Sequence, residues 1–367
     1  MMQFLLAVLS GACGAMGMYT LREAQRQAPR SPVPQYAGAA PQSSATRPPG
    51  WDRMAPGREA ASPTCPRPDA AAPRHAGAGP RYAGNKPSPI AVLLPVPPLL
   101  GHPSVQAESG GIGGVTVRAA SCRGREHMAE GESRQDAFVV GSSADGRWLI
   151  AAVADGVGTT FHAECAAQTA VGTVVREVAR LLKGNPAGPR DDDWSAAFGA
   201  AADAVKERRA DLSAYAGDGR PCSTTLVALV APVHPGSGDP VYCAGVGDSL
   251  AFRLGGRTRE WEALLVPDAS GTGGISDNVT WALPSGLDHL RTAVVRWERD
   301  DVLCLGTDGF THALGHGSPL RDELAAEWRT PPDIMTFIRD VDYHRATFND
   351  DRTVVGLWPS FHDGRMP

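Results

Sequence analysis

From Gly111 onward the chain alternates short runs of Val, Ile, Leu and Ala with Gly, Asp and Pro. Runs of that length and punctuation read as strands. Nine are predicted: Val115–Ala119, Ala137–Val140, Trp148–Val153, Thr224–Val230, Val241–Val246, Ser249–Leu254, Thr292–Trp297, Val302–Leu305 and Thr353–Trp358. Two longer stretches instead repeat at helical spacing. Phe161–Leu182 places Ala166, Ala170, Val174, Val178 and Leu181 on one face, and Trp194–Tyr215 does so with Ala197, Ala201, Val205 and Leu212. Asp191–Asp193 precede the second helix and suit its positive N-terminal end. Leu320–Trp328 and Pro332–Val341 complete the helices. Many strands on short turns, with helices in blocks, predict an α+β fold of antiparallel sheets covered by helices.

The first 110 residues break this pattern. Met1–Tyr19 is apolar apart from Gln3, Ser10 and small residues, and Arg22, Arg26 and Arg30 follow it. About 19 helical residues reach roughly 28 Å, just the span of a bilayer core. Besides an ordinary hydrophobic N-terminus, two readings stand for residues 1–26. One is a membrane anchor with the remainder in the cytoplasm, on the side of the arginines. The other is a cleaved signal peptide, which lacks its usual charged start. Residues 27–110 hold 18 of the 31 prolines, with Ala and Arg between them. Repeated prolines forbid helix and central strand, so this stretch reads as a disordered linker. The folded domain is expected over 111–360.

Charge sharpens the division. The chain is net −5, but residues 111–367 carry 25 Lys/Arg against 35 Asp/Glu. A domain that acidic is a poor grip for a nucleic-acid backbone and suits carboxylates gathered around cations. The seven cysteines are scattered, with no CxxC pair or Cys/His cluster, which argues against a zinc finger or disulfide scaffold and for a reducing compartment.

The carboxylates carry the chemistry. Asp-Gly occurs at 145, 155, 218, 308 and 363, and its ordinary reading is a turn. Asp155 and Asp308 differ because each ends an apolar strand, where a lone anion is costly to desolvate. Asp136 opens a strand, Asp350 and Asp351 precede another, and Asp248 lies between two as Gly247-Asp248-Ser249. Carboxylates at strand ends with glycines beside them suit Mg²⁺ or Mn²⁺, which prefer oxygen ligands. Ser249 as a hydrolase nucleophile would want Gly-x-Ser-x-Gly, which Leu250-Ala251 does not supply.

In order, Gly124…His127…Gln135-Asp136-Ala137, Val153-Ala-Asp155-Gly156-Val-Gly158, Gly247-Asp248-Ser249, Thr307-Asp308-Gly309 and Asn349-Asp350-Asp351-Arg-Thr353 resemble the metal-dependent Ser/Thr protein phosphatases of type 2C, in their bacterial branch. The resemblance covers nearly all of 111–360. It implies an αββα sandwich of two antiparallel sheets with helices outside, and a pair of Mn²⁺ or Mg²⁺ ions in the cleft between the sheets. Position by position it implies that Asp136, Asp155 and the Gly156 carbonyl hold the ions, with Asp155 bridging. Asp308 and Asp350 complete the pair, Asp351 is the competing last ligand, and Asp248 supports a third, weaker ion. Val157 stands where many relatives carry a His, and Gly131 where many carry a phosphate-binding Arg. His127, as a catalytic group, and Arg123, Arg125 or Arg134, as phosphate ligands, are the candidates to substitute.

What the resemblance implies for function is hydrolysis of phosphoserine and phosphothreonine in proteins by a metal-bridged hydroxide, without a protein nucleophile. It implies phosphoprotein substrates and a cognate Ser/Thr kinase, in a cytoplasmic monomer tethered through the N-terminus if the anchor reading holds. Two other classes compete: a catalytically silent phosphatase-like binding domain, and a hydrolase of small phosphoesters.

Overall fold

The computed structural model describes residues 103–157, 160, 162–216, 221–265, 280–315, 318–344 and 349–360. The expected anchor, the linker up to residue 102, Gly158 and the Asp-Gly turns at 218 and 363 lie outside these residues. Among the described residues, no helix is long and apolar enough to cross a membrane.

Eleven strands among the described residues form two antiparallel sheets. The six-stranded sheet runs β1 (Val105–Ile112), β2 (Val115–Cys122), β11 (Arg352–Pro359), β10 (Val302–Gly306), β7 (Leu250–Leu254), β8 (Trp261–Ala263). The five-stranded sheet runs β3 (Ala137–Ser142), β4 (Trp148–Ala154), β5 (Leu226–Pro232), β6 (Asp239–Val246), β9 (Arg291–Trp297). The helices are α1 (Arg125–Glu130), α2 (Ala163–Leu181), α3 (Asp191–Ala216), α4 (Asp308–Thr311), α5 (Pro319–Glu327) and α6 (Ile334–Val341).

Strand alternation sorts the apolar residues into layers. In β4, Leu149, Ala151 and Val153 enter a core shared with Val117 and Ala119 of β2, Leu303 and Leu305 of β10 and Val355 and Leu357 of β11. That core lies between the sheets. The other face of β4, with Ile150, Ala152 and Ala154, packs on Ala166, Ala170 and Val174 of α2 and Ala197 and Ala201 of α3. Outside the six-stranded sheet, Cys304 and Val354 meet Phe310, Leu324 and Phe337 of α4, α5 and α6. The result is the expected αββα order.

All nine predicted strands and all four predicted helices are present, with shifted ends. Asp191–Asp193 form the first turn of α3 rather than preceding it. Asp145 accepts from the Ser143 hydroxyl at 2.6 Å, an ordinary turn as expected. Among the described strands and α-helices, four were not predicted. β1 begins at Val105, six residues before the expected domain start, and pairs with β2 across the two-residue turn Gly113-Gly114. Its residues are partly or fully exposed, so no apolar alternation marks it. α1, α4 and β8 are too short to show a period.

Candidate metal centre

The proposed ligands come together where strand ends of both sheets meet. Asp136 enters β3, Asp155 leaves β4, Asp308 follows β10 as the first residue of α4, and Asp350 and Asp351 lead into β11. α4 is held by Phe310, which stacks on Trp328 with ring centroids 5.7 Å apart. Residues 349–351 are pressed close to two glycines. A Cβ on Gly309 would lie 1.9 Å from the Asp351 carbonyl oxygen, and one on Gly124 would lie 2.3 Å from that of Asn349.

A chain of buried polar groups runs from the six-stranded sheet to Asp136. Arg134 donates to the Ser121 hydroxyl at 2.6 Å, and Ser121 shares a hydrogen bond with Thr353 at 2.5 Å. The Thr353 amide donates to the Thr307 hydroxyl at 3.0 Å, which donates to Asp136 Oδ2 at 2.9 Å. Asp136 is 2% exposed, and its Oδ1 is buried with no hydrogen-bond partner. Asp308 Oδ1 is likewise buried and unpartnered.

The backbone of Asp155 is fixed by hydroxyls. Its amide donates to Thr225 Oγ1 at 3.0 Å, and its carbonyl accepts from Thr224 Oγ1 at 2.8 Å. Gly156 bridges to Thr224 across the same gap. Ser249 is buried and hydrogen-bonded to Thr225 Oγ1 at 2.7 Å. It therefore braces this wall, in keeping with its rejection as a nucleophile.

Electrostatics mark the cluster as short of cations. Burial raises the Asp136 carboxyl well above the ordinary range, and Asp351 and Asp350 raise it further. Asp155 is raised by burial and then by Asp136, Asp308 and Asp350. Asp350 is raised by burial, with His127 opposing. Asp248 is raised by burial and by Asp308, while accepting from the Thr280 hydroxyl at 2.9 Å. Unpaired buried carboxylates either take up protons or hold a cation. With two donorless oxygens, this all-oxygen donor set fits hard divalent ions.

The two adjacent acids are used differently. Asp351 Oδ1 accepts from the Gly124 amide at 2.6 Å and lies 3.0 Å from His127 Nδ1. Its Oδ2 accepts from the Gln135 amide. Both oxygens thus already have partners. Asp350 keeps a half-exposed side chain, 3.8 Å from His127 Nδ1. His127 sits buried on α1. Burial pulls its pKa down, but Asp351, then Asp350 and Glu132, raise it to about 9.

The three arginines also separate. Arg134 is tied to Ser121, the Asp136 carbonyl, Pro103 and Gln106. Arg125 is hydrogen-bonded to His344 on an exposed surface. Arg123 is 4% exposed, yet its Nε and Nη1 have no hydrogen-bond partner. Sequence reasoning gave no role to Ser121, Thr224, Thr225, Thr307, Thr353 and His312, whose Nδ1 is 3.8 Å from Asp308 Oδ2. The available signal was a hydroxyl beside an acid, as in Thr307-Asp308.

The family model described as Protein phosphatase 2C matches residues 123–333. Among solved structures, the chain is similar to the serine/threonine phosphatase of S. agalactiae, at 16% identity and a TM-score of 0.50, over 67% of this chain and 99% of that one. It is also similar to the PPM Ser-Thr phosphatase MsPP of Mycobacterium smegmatis in complex with cacodylate, at 25% identity and a TM-score of 0.44, over 66% of this chain and 97% of that one. The catalytic domain of the phosphatase PstP, in complex with two manganese ions, aligns at 18% identity and a TM-score of 0.44, over 66% and 97% of the two chains. No curated protein matches the chain.

Proposed function

The chain belongs to the protein phosphatase 2C family, and from that premise we propose that it removes phosphate from phosphoserine and phosphothreonine in proteins, using two Mn²⁺ or Mg²⁺ ions. The observation that carries this reading is the pair of buried, donorless oxygens on Asp136 and Asp308, within a carboxylate cluster short of positive charge. Such a cluster costs stability when nothing offsets it, which favours a domain that uses bound cations.

Asp136, Asp155, the Gly156 carbonyl, Asp308 and Asp350 would hold the pair, and Asp248 a third, weaker ion. Asp351 is assigned to the scaffold, because both of its oxygens are occupied. When bound, the ions supply a water nucleophile at neutral pH and neutralise charge developing on the phosphoryl group. Arg123 has unpartnered donors to take a phosphoryl oxygen. His127 carries its proton at neutral pH in the metal-free protein, the state required to protonate a leaving alkoxide.

Turnover of phosphopeptides, small metabolite phosphoesters and p-nitrophenyl phosphate should be compared with Mn²⁺ and with chelator. Phosphopeptide hydrolysis that needs Mn²⁺ supports the reading. Preference for metabolites favours the small-phosphoester alternative, and no turnover on any substrate leaves only the binding domain. A Ser/Thr kinase acting on the same proteins is the implied counterpart. We further propose attachment to the inner membrane face through Met1–Tyr19. Fractionation with protease shaving of intact cells tests it, and a protein found wholly in the soluble fraction or cut from outside would reject it.

A further inference from the structure

Contrary to the sequence reading of no Cys/His cluster, a second cluster of metal-ligating side chains lies outside the acidic centre, at the start of α2. Its sequence is His162-Ala-Glu164-Cys165. His162 is the N-cap residue and adopts the left-handed conformation, φ 49° and ψ 50°, which residues with a Cβ rarely adopt. That turn brings the imidazole Nδ1 to 2.8 Å from Glu164 Oε1. Glu164 is 5% exposed, and the Cys165 thiol faces the same Oε1 at 3.9 Å. One ligand atom from each of the three residues lies within 4.8 Å of the other two.

A fourth donor arrives from a distant part of the chain. The Cys222 thiol is buried and faces the His162 carbonyl oxygen at 3.6 Å. Burial raises the Cys222 pKa most, and Cys165 and Glu164 raise it further, to about 11. On α3, Arg208 acts on Cys165 and Arg209 on Cys222.

We propose that His162, Glu164, Cys165 and Cys222 bind a thiophilic divalent cation of the zinc class, at a site separate from the acidic centre. The donor set decides the class. One imidazole nitrogen, one carboxylate oxygen and two sulfurs suit zinc's tetrahedral shell, whereas Mg²⁺ and Mn²⁺ select oxygen ligands. Binding replaces two S–H bonds with two sulfur–metal bonds and releases two protons to solvent. Two thiolates and one carboxylate then outweigh the cation by one negative charge, which the arginines of α3 offset.

The position gives the site a role. Cys222 leads into Ser223, whose carbonyl accepts from the Val157 amide at 3.0 Å, and into Thr224 and Thr225, which hold the Asp155 backbone. His162 follows Asp155 by seven residues, at the start of α2. A cation joining Cys222 to His162 therefore ties the start of α2 to the segment that holds the Asp155 backbone.

The test uses the full chain, reduced, with Co²⁺ as the spectroscopic probe for zinc. Thiolate ligation gives a sulfur-to-cobalt charge-transfer band that oxygen ligands do not give. We expect one such site per chain, its band bleached by added Zn²⁺, about halved in Cys222→Ser and at least halved in Cys165→Ser. A chain with Cys13→Ser and Cys65→Ser should keep the band. With the acidic centre disabled by Asp155→Asn, Zn²⁺ should still raise the melting temperature, and it should not when His162→Gln is added to that variant. The thermal measurement covers the case in which a cysteine variant misfolds. Absence of the band, a full band in Cys165→Ser or Cys222→Ser, or a Cys165–Cys222 disulfide with no metal uptake by the reduced protein would overturn the assignment.

Discussion

Replacing Asp155 with Asn separates the cost of the acidic centre from its use. The substitution keeps the shape of the side chain and the backbone bonds to Thr224 and Thr225, and removes one negative charge. In the metal-free protein that charge is desolvated and faces Asp136, Asp308 and Asp350. Relief of such a group is worth about 1–3 kcal/mol, and each kcal/mol moves the melting temperature of a domain this size by about 2–4 °C. Metal-free Asp155→Asn should therefore melt roughly 2–12 °C above the unmutated protein. The pH dependence has a definite sign. The folded pKa values of Asp136 and Asp155 are raised above 3.8, so the folded state binds more protons than the unfolded one and metal-free stability falls as pH rises above about 4. The raised His127 acts in the same sense, its contribution present below 6.5 and lost as pH rises through about 9. Asp155→Asn should flatten the carboxylate part of that slope. With Mn²⁺ the order reverses. The unmutated protein gains about 4.1 kcal/mol at one thousand times its dissociation constant, and the variant should gain little. Its kcat should fall by at least ~10³-fold, the upper end of what loss of one electrostatic donor costs. Calorimetric Mn²⁺ titration, thermal melts at several pH values and turnover across a manganese series read all three, with Asp145→Asn as control. Near-normal turnover at saturating Mn²⁺, or a metal-free variant less stable than its parent, would refute the reasoning.

The adjacent acids should part company. Asp351→Ala strips acceptors from the Gly124 and Gln135 amides and from His127 and should cost about 2–4 kcal/mol in urea unfolding. Asp350→Asn should unfold normally but bind Mn²⁺ at least ~10-fold more weakly. Arg123→Gln should raise KM for phosphopeptides about 10-fold with Mn²⁺ affinity unchanged, and an unchanged KM would remove Arg123 from the phosphate site. A chain of residues 103–360 should fold and turn over p-nitrophenyl phosphate. One starting at 111 should be less stable, because Arg134 loses the Pro103 carbonyl and Gln106 and Arg123 loses the Ser104 carbonyl.

Periodicity determined the layers of this protein. The two-residue alternation in Trp148–Ala154 and the helical spacing in Ala163–Leu181 each dictate which side chains can share a face, and burial leaves few ways to stack such faces. The order of the Asp-containing motifs likewise pointed to the metal centre before any contact was known. Sequence could not reveal β1, because an exposed edge strand needs no apolar pattern and is held by pairing with β2. Nor could it separate Asp350 from Asp351, or Arg123 from Arg134, since neighbours of identical chemistry differ only in what the fold brings to them. Asp351 meets two amides and His127, Arg134 meets four acceptors, and Cys222 meets His162 from 60 residues away. Those encounters depend on how the two sheets are registered, a property of the packed whole that local spacing does not encode.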